Sequence, residues 1–348
     1  MFLHIDMDYF FAQIEEKRRP MAKGKIIVVC VYSGRTPDSG VVSTVNYPGR
    51  EIGIRSGMPI AFAKKRAPSA DTIFVPVDHG LYEEVSSGID RTIRGIFKKV
   101  VQASIDEWNV DDGEAANKAK MLKERIMEGF NLACSVGVAP SMLGAKMAAS
   151  RSKPDGLLII DEEGEKRLIG ESDVGKVPEI GPKTAEALHE LGAIKVRDIS
   201  RLDPMRLVEV FGRKSGAWLF DIGQGRFGGG LGEEKGQEEV SRIGTLKEMT
   251  RDPYMILAKL DELEGEAKER LLEMKKLYRT MGLIFVTEDL KTHTKSASFR
   301  NPRSFEEIIK REKEALVKEF LDENGLMVRR VGIRFSNFLE LGGQTTLF

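Results

Sequence analysis

Two acidic side chains lie at the end of a short apolar segment near the amino terminus. The apolar residues within 2–5 predict a buried strand that ends at Asp6 and Asp8, and from Tyr9 onward the apolar spacing becomes helical. An ionised carboxylate without a partner is strongly disfavoured in such an apolar setting, and a divalent cation would provide the partner. Alternatively, Asp8 caps the helix that starts at Tyr9, and Asp6 only precedes that helix.

A second acidic pair occurs much later in the chain. Asp106 and Glu107 lie within 103–111, where the flanking apolar residues predict a strand or the interior of a hairpin. If this segment pairs with the first strand, Asp6, Asp106 and Glu107 converge at one end of a sheet. Carboxylate oxygens suit Mg²⁺, and two such ions about 3.5–4 Å apart form the usual clamp for in-line displacement at phosphorus.

An ordered set of motifs resembles the Y-family of translesion DNA polymerases. Asp-Met-Asp-Tyr-Phe-Phe at 6–11 and Ser-Ile-Asp-Glu at 104–107 are similar to the catalytic signature of that family, and the match is best with its DinB branch. The likeness continues in order through the segments 29–35, 46–50 and 152–156. Each motif alone is weak, but the ordered set spans most of the chain.

Composition sets the outer limits of the prediction. A chain of 348 residues is expected to form two to four domains. No run approaches the roughly 18 apolar residues needed to cross a bilayer, and the amino terminus lacks a basic region followed by a long apolar segment, so we expect a soluble, cytoplasmic protein. We also expect a monomer. Cys30 and Cys134 lie in apolar runs and are expected to be reduced core residues. The formal net charge of zero argues against a uniformly basic nucleic-acid-binding protein, so the placement of Lys and Arg matters more.

The resemblance implies an α+β fold and the domains of a right-hand polymerase. These domains are a ferredoxin-like palm at 1–20 and 78–165, small fingers at 21–77, a helical thumb at 166–228, a Gly-rich flexible linker at 229–240, a little finger at 241–340 and a tail at 341–348. Periodicity predicts the order βαββαβ for the little finger. The predicted elements are a strand at 240–249, a helix at 254–276, strands at 279–288 and 292–300, a helix at 304–323 and a strand at 327–337.

The resemblance also implies a site for the incoming nucleotide. The residues that match it are Phe10, Phe11, Thr44, Tyr47, Arg50 and Lys153. The planar fork of Arg50 suits phosphate oxygens, the Tyr47 hydroxyl can add a neutral donor, and Lys153 acts as a point charge. If Tyr47 opens a helical turn, Tyr47 and Arg50 face the same way.

Phe11 and three further positions match residues that the family uses for substrate selection. Phe11 matches the steric gate, where a ring beneath the sugar leaves no room for a ribose 2′-hydroxyl. Val41, Ser43 and Gly57 match positions that face the nascent base pair, where small side chains leave room for a damaged template base. Related sequences often carry Ala at the first two of these three positions, so this chain departs from the pattern there.

Two segments predict contacts with DNA. The stretch 177–185 resembles a helix-hairpin-helix, in which the turn at Gly181 exposes backbone N–H groups at a helix start, next to Lys183. The segment 211–216 is either a second such turn or an ordinary helical corner.

In the last strand, Val331, Ile333 and Phe335 are predicted to face one side, with Arg330 and Arg334 on the other, open side. Lys295 and Arg300, from the strand at 292–300, are predicted to lie near these arginines.

The C-terminal tail is similar to a peptide that binds a sliding clamp. A flexible Gly pair precedes Gln344, and the chain finishes with Leu347 and Phe348. The alternative is a disordered tail, which is common at chain ends.

Together these features predict a template-directed DNA polymerase that binds primer–template DNA and deoxynucleoside triphosphates. Asp6, Asp106 and Glu107 would hold two Mg²⁺ ions, or Mn²⁺ in their place, with the Met7 carbonyl as a further ligand. Low fidelity, synthesis past damaged bases and lack of proofreading follow from the resemblance. Two alternatives stay open: a clamp-tethered scaffold on damaged DNA, and a nucleotidyl cyclase with a palm-like fold.

Overall fold

The protein is represented by a computed structural model that describes residues 1–68, 70–231, 238–304 and 306–340. The predicted clamp-binding residues Gln344, Leu347 and Phe348 and the middle of the predicted linker lie outside these ranges.

The chain divides into two compact units. The first contains Met1–Cys30, Val42–Met58 and the chain from Phe62 into the predicted linker; the second contains Val31–Val41, Pro59–Ala61 and the described C-terminal residues from 238 onward. The finer division into palm, fingers, thumb and little finger stays a prediction.

The helices and strands are numbered in chain order. Before the linker they are β1 (Phe2–Met7), α1 (Phe10–Arg18), β2 (Ile26–Tyr32), β3 (Gly40–Val45), α2 (Tyr47–Glu51), α3 (Ile60–Arg66), β4 (Thr72–Pro76), α4 (His79–Arg94), β5 (Val100–Gln102), β6 (Glu107–Asp111), α5 (Ala115–Phe130), β7 (Cys134–Ala139), α6 (Met142–Ser152), β8 (Leu157–Ile159), α7 (Glu162–Gly170), α8 (Pro182–Glu190) and α9 (Pro204–Gly223). After it they are β9 (Glu239–Thr250), α10 (Pro253–Met274), β10 (Lys276–Thr287), β11 (Thr292–Arg303), α11 (Lys310–Glu323) and β12 (Val328–Glu340).

A five-stranded sheet of order β5-β6-β1-β7-β8 organises the first unit. Its central strand, β1, pairs antiparallel with β6 and β7, and its Leu3 and Ile5 side chains are fully buried. The pairing of the first strand with the second acidic segment is therefore confirmed. Residues 103–106 form the turn between β5 and β6, so the hairpin interpretation of 103–111 is the correct one.

Two smaller substructures accompany this sheet. A three-stranded sheet of order β3-β2-β4 is formed by residues of the predicted fingers. In the predicted thumb, α7, α8 and α9 enclose a separate hydrophobic cluster that includes Leu188, Leu207 and Leu219. Gly212 has a positive φ of 80° and breaks α9 into two helical segments. The segment 211–216, for which the sequence left open a second DNA-binding turn or an ordinary helical corner, therefore contains a break between two helical segments.

The C-terminal part of the second unit is a four-stranded antiparallel sheet of order β11-β10-β12-β9, with α10 and α11 packed on one face. The predicted order βαββαβ is confirmed. The last helix begins at Lys310 rather than 304, because β11 continues to Arg303, which pairs with Tyr278. The α+β class is also confirmed. Among the described helices, none combines the length and apolar character that crossing a membrane requires.

Candidate active site

The acidic residues of the two strands meet at one end of the central sheet. Asp6 is directly opposite Glu107 in the β1–β6 register, and the Met7 N–H donates to the Asp106 carbonyl over 2.9 Å. They border a cavity of about 300 Å³ that also adjoins the start of α1 and residues of β3 and α2. Its lining residues are Asp6, Met7, Tyr9, Phe10, Phe11, Ser43, Thr44, Arg50, Ser56, Asp106, Glu107 and Lys153. Apart from Tyr9 and Ser56, every one of these was predicted from the sequence.

Asp6 is the most deeply placed carboxylate of this cavity, with 9% of the residue exposed. Its Oδ2 atom accepts a hydrogen bond of 2.6 Å from Lys153 Nζ. The pKa of Asp6 is raised to about 6, mainly by burial; the hydrogen bond and charge of Lys153 oppose this rise, and the charges of Glu107 and Asp106 contribute to it. Asp6 is thus in a position where added positive charge would stabilise its ionised form.

Glu107 is paired with a lysine that the sequence analysis did not single out. Lys146 Nζ donates to Glu107 Oε2 over 2.8 Å. Burial alone would raise the pKa of Glu107, but the hydrogen bond and charge of Lys146 outweigh it and lower the pKa. Lys146 lies on α6, seven residues before Lys153, which directly follows the end of that helix.

His4 is a second site residue that sequence reasoning missed. It is two positions before Asp6, on the same face of β1, and its Nδ1 atom lies 2.7 Å from Asn109 Oδ1. Burial lowers the pKa of His4 to about 4, so the imidazole is neutral at pH 7. Ligand atoms of His4, Asp6 and Glu107 lie within 4.8 Å of one another, close enough to hold a metal ion.

Asp106 faces the same cavity from the β5–β6 turn, and its Oδ1 atom accepts a 2.6 Å hydrogen bond from Ser104 Oγ. The donor set of the site therefore consists mainly of carboxylate oxygens, which fits a hard divalent cation.

The basic and aromatic side of the cavity comes from α2 and α1. The Arg50 guanidinium carbon lies 5.2 Å from the centre of the Tyr47 ring, so these two side chains do face the same way. Tyr47, however, is not among the lining residues of the cavity. Its hydroxyl lies 3.3 Å from Asp8 Oδ1, and burial, followed by the charge of Asp8, raises the pKa of Tyr47.

Of the three residues predicted to face the nascent base pair, one lines the cavity. Ser43 lines the cavity, whereas Val41 and Gly57 do not. Val41 is 43% exposed on β3, and Gly57 adopts a positive φ of 81° in the turn that returns to Val42.

Phe11 is held by a stacked neighbour. Its ring lies 4.2 Å from that of Tyr82 on α4, with an angle of 14° between the planes. The Tyr82 hydroxyl in turn donates to the buried Glu15 carboxylate over 2.7 Å. This packing fixes the orientation in which the Phe11 ring borders the cavity.

No side chain caps the start of α1, where Tyr9 has a left-handed conformation. The alternative in which Asp8 caps this helix is therefore wrong. The Asp8 carboxylate accepts hydrogen bonds from Ser135, Tyr47 and Asp155 instead. The uncapped N–H groups of the first turn adjoin the cavity, since Tyr9, Phe10 and Phe11 all line it.

Gly181 and Lys183, in the predicted thumb, have the placement expected for phosphate-binding donors at a helix start. Gly181 is the N-cap residue of α8, without a side-chain cap, and Lys183 is exposed in the first turn. A contact with DNA phosphates at this helix start stays a prediction.

The C-terminal sheet has one face open. Val331, Ile333 and Phe335 are fully buried against the helices, and Arg330 and Arg334 alternate with them on the opposite face.

Arg300 is exposed on β11, and the alternation of that strand places it on the same open face. The predicted position of Lys295 is wrong. Lys295 is opposite the buried Leu283, and its Nζ atom bonds to Glu319 over 2.8 Å and to Glu323 over 2.6 Å, both on α11. It lies on the helix-covered face.

Comparisons with known proteins agree over the whole chain. The model of the impB/mucB/samB family matches residues 5–150, and that of its C-terminal domain matches residues 237–347. DNA polymerase IV of Methanosarcina acetivorans is 37% identical, over 99% of this chain and 98% of that protein, and DNA polymerase IV of Saccharolobus solfataricus is 35% identical, over 99% of each.

Solved structures give the same result. A Y-family DNA polymerase chimera of Dbh and Dpo4 superposes with a TM-score of 0.91 at 34% identity, covering 97% of this chain and 99% of that one. An insertion ternary complex of Dbh DNA polymerase gives a TM-score of 0.69 at 33% identity, with the same coverage.

The fold and these matches define a DNA-directed DNA polymerase. The chain belongs to the impB/mucB/samB family, that is, to the Y-family of translesion DNA polymerases.

Proposed function

We propose that this chain extends the 3′ end of a DNA primer on a template by two-metal phosphoryl transfer from deoxynucleoside triphosphates, with low fidelity and without proofreading. The observation that carries the proposal is the cavity in which three carboxylates face two cationic side chains. Asp6, Asp106 and Glu107 line one side of it, and Arg50 and Lys153 line it as well.

Divalent cations would be held by Asp6, Asp106 and Glu107, with the Met7 carbonyl as a candidate further ligand. The oxygen-rich donor set favours Mg²⁺, and the imidazole of His4 beside it is compatible with Mn²⁺ as a substitute. Bound there, such ions supply Lewis acidity toward the primer hydroxyl and the phosphates.

The triphosphate would be bound by the chain's own donors. Arg50 offers a planar fork and Lys153 a point charge. The first turn of α1 adds backbone N–H groups without a side-chain cap, which is a favourable place for an anion. Phe11, backed by Tyr82, would then lie beneath the sugar and exclude a 2′-hydroxyl.

The lack of proofreading is proposed from membership of the Y-family alone.

Primer–template DNA would be held by phosphate contacts rather than by base contacts. The donors are the start of α8 at Gly181 and Lys183, and the open sheet face with Arg300, Arg330 and Arg334. Such contacts position a duplex without reading its sequence. A sliding clamp bound through Gln344, Leu347 and Phe348, a monomeric state and a cytoplasmic location remain proposals that rest on the sequence.

Primer extension tests the proposal. We expect the protein with Mg²⁺ to extend a primed template with deoxynucleotides, to insert mismatched nucleotides frequently and to leave a terminal mismatch uncleaved. Asp106→Ala should abolish extension while primer–template affinity stays unchanged. Tight DNA binding without extension by the unmodified protein would favour the scaffold alternative, and pyrophosphate release from a triphosphate without DNA would favour the cyclase.

A further inference from the structure

The carboxylate of Asp8 is buried beside the active site but has no role in the function proposed above. The residue is 1% exposed, and three donors surround its side chain. Oδ1 accepts from Ser135 Oγ over 3.0 Å and from the Tyr47 hydroxyl over 3.3 Å, and Oδ2 accepts from the backbone N–H of Asp155 over 2.6 Å. Because all three are directed at a buried carboxylate, they are of the stronger, charge-assisted kind.

The main chain of Asp8 is fixed as well. Its N–H donates to the Ala133 carbonyl over 3.2 Å, and its carbonyl accepts from Gln13 Nε2 over 2.7 Å. The carboxylate is therefore a rigid anchor point between the end of β1 and the start of α1.

The donors come from the segments that present the nucleotide-binding groups. Asp155 is two residues after Lys153, and Tyr47 begins α2, on which Arg50 packs over the Tyr47 ring. One carboxylate thus connects the loop that carries Lys153 with the short helix that carries Arg50.

Asp8 does not have the surroundings of a metal ligand. It does not line the cavity, and both of its oxygens are used by donors from the protein. It is also absent from the group of His4, Asp6 and Glu107 that could hold an ion in the described part of the chain.

We infer that Asp8 is a positioning residue that sets the affinity for the incoming nucleotide by holding the Lys153 loop and Tyr47 in place. The inference rests on the proposed function, because that function assigns triphosphate contacts to Lys153 and Arg50. The hydrogen bonds of the Asp8 carboxylate differ in length. The short bond from the Asp155 N–H fixes the loop that carries Lys153, whereas the bond from the Tyr47 hydroxyl is the longest and weakest of the three. Since a hydroxyl has one proton, Tyr47 can donate to a phosphate only when it gives up this bond to Asp8.

The test compares Asp8→Ala with the conservative Asp8→Asn. Asparagine can keep the network, because its amide oxygen can accept from Asp155 and its NH₂ group can donate to the hydroxyls of Ser135 and Tyr47. Ser135→Ala is the matched control, since it removes a donor to the same carboxylate without touching either nucleotide-binding segment. Each variant is assayed for the equilibrium affinity for a deoxynucleoside triphosphate on a primer terminated with a dideoxynucleotide, for KM and kcat, for primer–template affinity and for thermal stability.

We expect Asp8→Ala to weaken nucleotide binding by about 10- to 100-fold, the usual effect of losing hydrogen bonds to a charged group. Primer–template affinity should not change, and Asp8→Asn should recover most of the loss. Ser135→Ala should lower the melting temperature but leave nucleotide affinity within about threefold. Unchanged nucleotide affinity in folded Asp8→Ala, or an equal loss in Ser135→Ala, would overturn the inference.

If Asp8→Ala does not fold, Tyr47→Phe is measured in the unmodified protein and in Asp8→Asn. Groups in direct contact do not have additive effects. The cost of Tyr47→Phe in nucleotide affinity should therefore differ between the two backgrounds, and an equal cost would refute the link to Tyr47. Failure of the unmodified protein to extend a primer would instead refute the proposed function itself.

Discussion

Two of the three predicted catalytic carboxylates each form an ion pair with a lysine of the chain. Lys153 bonds to Asp6, and Lys146 bonds to Glu107. Burial raises the pKa of Asp6, whereas Lys146 lowers that of Glu107. Asp6 is therefore the more easily protonated of the two carboxylates. In the proposed function, a divalent cation that entered this site would compete with these two ammonium groups, and Lys153 would become available to a triphosphate on leaving Asp6.

In the proposed function, selection against ribonucleotides depends on the single side chain of Phe11. Phe11→Ala should lower the preference for deoxynucleotides over ribonucleotides, because the ring would no longer occupy the space that a 2′-hydroxyl needs. The expected change is on the order of 10²-fold in the ratio of kcat/KM values. It is measured by single-nucleotide insertion with each type of triphosphate.

Phe11→Tyr is the control for the steric gate, since it keeps the bulk of the ring and the stack on Tyr82. Its selectivity should resemble that of the unmodified protein. If Phe11→Ala discriminates against ribonucleotides as strongly as Phe11→Tyr, another residue forms the gate.

At the scale of secondary structure, the site depends on the close approach of α6 to β7. A Cβ atom at Gly137 would lie 2.1 Å from the Ala145 carbonyl oxygen and 2.3 Å from the Ala149 nitrogen. Only glycine permits this contact between a strand and a helix backbone. The same helix carries Lys146 and ends next to Lys153, so its distance from the sheet sets where both lysines lie.

Gly137→Ala should therefore affect stability and activity together. We expect the free energy of unfolding to fall by about 1–3 kcal/mol, the usual range for an overpacked core, and extension to weaken because both lysines move with α6. Denaturant unfolding and nucleotide KM are the measurements.

Gly129→Ala serves as the control on α5, where a Cβ would meet no atom within 4 Å. There alanine should be neutral or stabilising by up to about 1 kcal/mol. Equal destabilisation by the two substitutions would mean that the α6–β7 contact is not the cause.

On the scale of the whole molecule, the two units have separate hydrophobic cores. The central sheet of the first unit buries Leu3, Ile5 and Trp108 beside the catalytic end, while the second unit buries Phe285 and Phe320 between its sheet and helices. With a net charge of zero, DNA binding has to depend on local positive charge. We propose that the open sheet face of the second unit provides this charge through Arg300, Arg330 and Arg334, of which Arg334 is also 3.5 Å from Glu239.

Replacing both Arg330 and Arg334 with alanine should weaken primer–template binding and make it less dependent on salt. Each lost phosphate contact should reduce the slope of log K against log salt concentration by about 0.9. Extension at saturating DNA should change little. Fluorescence anisotropy at several salt concentrations measures both quantities.

Lys295→Ala is the matched control, because Lys295 belongs to the same sheet but faces α11. It should leave the salt slope unchanged. A drop in slope for Lys295→Ala equal to that for the arginine pair would show that the helix-covered side contacts DNA.

Much of the architecture follows from local patterns. Apolar runs and alternation predicted the first strand, the acidic hairpin and the βαββαβ order near the C-terminus, while the pairing of the first strand with the hairpin was only a condition of the prediction. Lys295 was misplaced for a definite reason: the segment Thr-His-Thr-Lys-Ser-Ala-Ser at 292–298 alternates too weakly in polarity to show which face is buried.

The sequence by itself determined the types and order of the elements, through short-range periodicity, and most of the residues that meet at the cavity, through the resemblance of its ordered motifs to the Y-family. Only the tertiary structure decided the partners: Lys153 with Asp6, Lys146 with Glu107, Tyr82 behind Phe11, and Ser135 and Asp155 on Asp8. The Lys153–Asp6 bond joins positions 147 residues apart. Such contacts depend on how strands and helices pack in space, and no local spacing in the chain specifies them.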